Sequence, residues 1–76
     1  MINNRDENIL KAFGNRLREL RLRKGYSQHK LSLIADISKN QIGNIERGEV
    51  NVTLIAASAI DKALEVSLRD LYEFPI

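Results

Sequence analysis

The chain has 76 residues, with 12 basic and 10 acidic side chains, one histidine, one proline and neither cysteine nor tryptophan. One small domain, 1–76, is expected: a chain of about 60 residues buries only roughly 60% of its unfolded surface, and without cysteine no disulfide or Cys-based metal cage can help, so large enzymes and secreted disulfide scaffolds are excluded. Residues 1–48 hold ten bases and five acids (+5) and residues 49–76 hold two bases and five acids (−3), so a polyanion is expected on one side only, unless the imbalance is ordinary helix surface.

Five short helices follow in chain order. Leu10, Phe13, Leu17 and Leu20 recur at spacings of 3 and 4, one face of a helix that starts after Asn4 or Asp6 and stops at Gly25. Ser27 suits an N-cap for a second helix, Gln28 to Ala35, with Leu31 and Ile34 inward. Asp36 and Ile37 form a tight turn in which Ile37 plugs the core. Ser38 caps a third helix, Lys39 to Arg47, with Ile42 and Ile45 inward and Gly48 as its stop. Thr53 caps a fourth, whose stripe is Leu54, Ala57, Ile60 and Leu64. Ser67, with Asp70 three residues on, resembles a capping box opening a fifth helix, Leu68 to about Glu73, that buries Leu71; Pro75 blocks its continuation. Nothing alternates with period two, so the expected class is all-α, a compact five-helix bundle.

The second and third helices, joined by about three residues and each opened by a serine, make a helix-turn-helix over 27–47. In that unit the second helix can enter the major groove of double-stranded DNA while the first lies across the backbone. The outward residues of the third helix are read as Lys39, Asn40, Gln41, Gly43 and Asn44. An amide can pair with adenine N6 and N7, and a lysine can donate to guanine O6 and N7. The same residue types are also common on a merely solvated helix face.

Ser27-Gln28-His29-Lys30-Leu31, Ala35-Asp36-Ile37-Ser38 and Ile42-Gly43-Asn44-Ile45-Glu46-Arg47-Gly48 resemble the Cro and phage-repressor (XRE-like) helix-turn-helix family. Phe13 to Gly25 is similar to its first helix and Ala63 to Leu71 to its tail, so the resemblance covers roughly residues 9 to 73. It implies a phage-repressor type of bundle and a sequence-specific transcriptional regulator, a repressor or autoregulator, that binds a palindromic operator as a homodimer. By the same resemblance Lys39, Asn40 and Asn44 face base edges and Gln41 a base or a phosphate. Gln28 and Arg47 hold phosphates, with Ser38 and His29 as further candidates. Arg21 and Glu46 match positions that form a partly buried ion pair between the first and third helices, against the alternative of two independent surface charges. Dimer contacts are expected from the loop and tail: Val50, Val52, Leu68, Tyr72, Phe74 and Ile76. Packing of that apolar tail on its own core is the alternative.

Four residues depart from the family pattern. Asp36 and Glu65 stand where glycine is usual. Asp61 replaces a small buried alanine, and is either exposed by a small rotation or meets a base. Leu33 occupies a position that is often polar. Other apparent motifs are accidental. Ser27-x-x-Lys30 lacks the companion motifs of a penicillin-binding nucleophile, and Ser27 is explained as a cap, so no enzyme is expected. Asn51-Val52-Thr53 is formally a glycosylation sequon, but Met1 to Asp6 lacks the start of a signal peptide. No apolar run approaches the roughly 20 residues of a membrane span, and a cytoplasmic protein is expected. His29 has no second histidine or cysteine beside it, so no metal and no cofactor are expected. The competing functional class is a protein-interaction module, antitoxin-like or a coactivator partner, in which DNA binding is secondary.

Overall fold

The computed structural model describes residues 6–75; Ile76, one of the expected tail contacts, lies outside the described residues. Its elements are α1 (Glu7–Lys24), α2 (Gln28–Ala35), α3 (Lys39–Glu46), α4 (Leu54–Leu64) and α5 (Leu68–Leu71), with no strand among the described residues.

Each helix begins on a side chain that satisfies free backbone amides. Asp6 Oδ1 accepts from the Asn8 and Ile9 amides at 3.0 and 3.2 Å. Ser27, Ser38 and Thr53 each accept from the amide three residues on, at 3.0, 3.1 and 3.0 Å. At α5 the box is reciprocal: Ser67 Oγ accepts from the Asp70 amide at 3.1 Å, and the Ser67 amide donates to Asp70 Oδ2 at 3.3 Å.

The C-caps of α1, α2 and α4 (Gly25, Asp36 and Glu65) use the left-handed conformation. Asp36 and Glu65, in the places of the usual glycines, adopt φ of 56° and 57°. Aspartate tolerates this region better than most residues. Glu65 is fastened to α1 by a hydrogen bond from the Lys24 ammonium, which holds the Glu65 carboxyl below the usual carboxylate range.

Leu17, Leu31, Ile42, Ile45, Ile60 and Leu71 are fully buried and tie all five helices to one core, against which Ile37 is half-buried. α3 rests on α1 and α2, and α4 packs on α2. The structure corrects several expected details. α3 ends at Glu46 with Arg47 as its C-cap, and α5 ends at Leu71, not Glu73. Ile34 is 46% exposed and Ala35 is buried instead, so the inward pair of α2 is spaced by four residues rather than three. Leu54 is not part of the buried stripe of α4: it sits on the first turn, at the edge of the apolar arc, and is 69% exposed. Asp61 is buried, neither rotated out nor on an outer surface, and its Oδ1 has no hydrogen-bond partner. Leu33 is exposed.

Candidate nucleic-acid interface

The turn between α2 and α3 is closed by backbone. The Asp36 amide donates to the Ser32 carbonyl, and the Ile37 amide donates to the same oxygen at 3.1 Å. Ser38 then starts α3 in a new direction, and α3 divides cleanly into two faces. Ile42, Ile45 and Glu46 point into the protein, with the isoleucines at most 1% exposed. Lys39 and Asn40 are exposed and Gln41 and Asn44 half-buried on the other side. Gly43, read from sequence as outward, is buried: the Arg47 guanidinium crosses it, and a Cβ built there would lie 3.0 Å from Arg47 Nη1.

α3 is held in place by a charged network beneath it. Arg21 on α1 makes a two-pronged pair with Glu46, Nε to Oε2 at 2.6 Å and Nη2 to Oε1 at 3.0 Å. Both residues are buried. Arg21 Nη1 also donates to the Tyr26 carbonyl at 2.8 Å, in the loop that leads into α2. Gln28 Nε2 donates to Glu46 Oε1 at 3.0 Å, so its side chain joins this network from α2. Planar fork-to-carboxylate geometry fixes orientation as well as distance, and here it locks α1, α2 and α3 to one another.

The remaining expected contacts flank the outer face of α3. Ser38 is exposed at its N-terminus and His29 is exposed on α2. Arg47, at the other end, donates from Nη2 to Asn44 Oδ1 at 2.6 Å, with Nε 3.2 Å from Glu49 Oε2. Lys30, 5.4 Å from the Tyr26 ring centroid, adds a further positive charge on α2.

The apolar loop and tail turn mainly inward. Val50, Val52, Leu68 and Phe74 pack against the core, and the Phe13 ring meets Tyr72 at 5.2 Å and Phe74 at 6.2 Å. Tyr72 keeps 46% of its surface exposed. The large apolar surface that sequence reading missed is Leu54 and Ile55, 69% and 84% exposed. Their adjacency was its signal, since two neighbours on a helix cannot both face a narrow core stripe. Among the described residues no helix is long and apolar enough to cross a membrane, and no group of three or more His, Cys, Asp or Glu residues could hold a metal ion.

Comparison with known proteins agrees with this architecture. The helix-turn-helix family model matches residues 17–71. The control protein C.BamHI of Bacillus amyloliquefaciens is 43% identical over 68 residues, 88% of this chain and 84% of that protein. The uncharacterized HTH-type transcriptional regulator YgzD of Bacillus subtilis is 34% identical over 58 residues, 76% of this chain and 88% of its own. In three dimensions the chain resembles the restriction-modification controller protein C.AhdI from Aeromonas hydrophila with a TM-score of 0.79 and 39% identity, over 84% of this chain and 96% of that one. The chain belongs to the helix-turn-helix family and is a DNA-binding transcription regulator rather than an enzyme.

Proposed function

We propose that this regulator is sequence-specific and cytoplasmic, and that it works as a homodimer on a palindromic operator, as a repressor or autoregulator. The observation that carries the reading is the two-faced α3. Ile42, Ile45 and the Arg21–Glu46 pair anchor it, while Lys39 and Asn40 stand clear of the protein. Lys39, Asn40, Gln41 and Asn44 read bases. Ser38, His29 and Arg47 hold the phosphates on either side, with Gln28 contributing from the positive end of α2. The homodimer is supported by the exposed Leu54 and Ile55, a solvent-facing apolar pair at the start of α4. Likeness to C.AhdI makes the genes of a restriction-modification system the first place to seek the operator.

Selection of bound sequences from a random DNA pool tests the reading. The expected product is an enriched site with two inverted halves about one helical turn apart, roughly 34 Å. On random DNA, log K should fall linearly with log salt, by about 0.9 per phosphate contacted. An unenriched pool with salt-insensitive or absent binding would instead favour the interaction module.

A further inference from the structure

The last turn of α3 constrains what Asn44 can read. Arg47 Nη2 donates to Asn44 Oδ1 at 2.6 Å, and Arg47 Nε lies 3.2 Å from Glu49 Oε2. Between them the guanidinium crosses Gly43, where a Cβ would stand 3.0 Å from Nη1. Arginine carries five N–H donors and no acceptor, so the group facing it must be the amide oxygen. The amide nitrogen, with both hydrogens, is therefore turned away from Arg47.

A free asparagine recognises adenine through both ends of its amide: the oxygen accepts from N6 and the nitrogen donates to N7. Asn44 has its oxygen engaged. The second lone pair on Oδ1 could accept from adenine N6 only with that amino group set beside the guanidinium, positive edge against positive charge. Guanine presents two acceptors, N7 and O6, and meets a donor-only surface without that conflict. Resting on the proposed docking of α3 against bases, we infer that Asn44, its amide oxygen held by Arg47, presents only donors to the base pair it faces and selects guanine over adenine there. Arg47 is the positioning residue, and Gly43 leaves the room in which its guanidinium lies.

The assignment also accounts for a glycine in the middle of an eight-residue helix, where glycine is less favourable than alanine. Alanine at 43 would press on the guanidinium, the far end of a flexible side chain, which must give by a few tenths of an ångström while keeping its charge.

The experiment is a parallel selection from a random DNA pool with the wild-type chain and the Asn44→Ala, Arg47→Ala and Gly43→Ala variants, each checked by thermal melting to be folded. Asn44→Ala identifies the position that Asn44 faces, as the letter whose preference it relaxes. The expected wild-type letter there is guanine, favoured roughly tenfold or more over adenine. Arg47→Ala frees the amide oxygen and moves that one letter towards adenine, besides weakening binding to every sequence. Gly43→Ala, which only nudges the guanidinium, moves the same letter the same way by a smaller amount, with the overall charge unchanged. Two results would overturn the inference alone: adenine as the wild-type letter, or an Arg47→Ala variant that binds every sequence more weakly with its letters unchanged. A wild-type pool with nothing enriched would overturn it together with the docking on which it rests.

Discussion

Two buried carboxylates in this chain have opposite environments. Glu46, 8% exposed, accepts from Arg21 Nε, Arg21 Nη2 and Gln28 Nε2. Asp61, 9% exposed, has an Oδ1 with no partner. Removing Glu46 leaves the Arg21 guanidinium buried without its counter-charge, a change that costs about 3–5 kcal/mol. Removing Asp61 deletes a buried, unmet acceptor, whose penalty is about 1–3 kcal/mol, and restores the best helix former in mid-helix. For a domain of this size 1 kcal/mol moves the melting temperature by about 4–8 °C. Melts followed by circular dichroism should therefore shift in opposite directions, with Glu46→Ala falling by more than about 10 °C and Asp61→Ala rising by several degrees. Glu73→Ala, on the surface, should barely move. An Asp61→Ala protein that melts lower than the wild type would mean that its carboxylate has a stabilising partner.

At the scale of elements, the position of α3 depends on how closely α1 can approach it. A Cβ at Gly14 would lie 2.4 Å from the Ile45 carbonyl oxygen and 2.5 Å from that of Glu46, so α1 and α3 touch backbone to side-chain-free backbone. Unlike the flexible guanidinium over Gly43, these atoms cannot swing aside. Gly14→Ala should thus lower the midpoint of urea unfolding, by about 1–3 kcal/mol in stability, whereas Gly43→Ala, which removes a mid-helix glycine beside a side chain that can yield, should not lower it. Equal midpoints would mean that the two helices can slide apart freely. Much of this architecture was legible in the chain itself. The stripe Leu10, Phe13, Leu17, Leu20 and the serine and threonine caps mark α1 and the starts of the later helices, because periodicity and capping are local properties. What escaped was tertiary. Ile34 and Ala35 both fit α2's inward arc, and only the way α2 packs on α3 and α4 decides between them. Gly14 carries no sign that another backbone lies against it. Asn44 and Arg47 stand three residues apart on paper, but their pairing appears only once side-chain directions are known.

At the scale of the whole molecule, a single small reading surface offers few base contacts to an operator. Each bundle presents one α3, and two copies tied together convert the second contact into an intramolecular event. In a two-fold dimer the same patch meets itself, so residues near the axis face their own copies. Leu54 and Ile55 suit that role better than the aromatic tail, since Phe74 packs on its own Phe13 while Ile55 is 84% exposed. Ile55→Asp is a sharp probe because the residue lies on the first turn of α4, two positions after the Thr53 cap, where a negative charge suits the helix dipole. The monomer fold should survive, while two carboxylates brought together at the axis repel. Sedimentation equilibrium should show a wild-type dimer and an Ile55→Asp monomer. On DNA the variant should bind an isolated half-site about as well as the wild type does. Its preference for the full palindrome over the half-site should fall by about a hundredfold or more. If the variant remains dimeric, the interface lies elsewhere, and the exposed edge of Tyr72 with the half-buried Val52 beside it becomes the surface to mutate next.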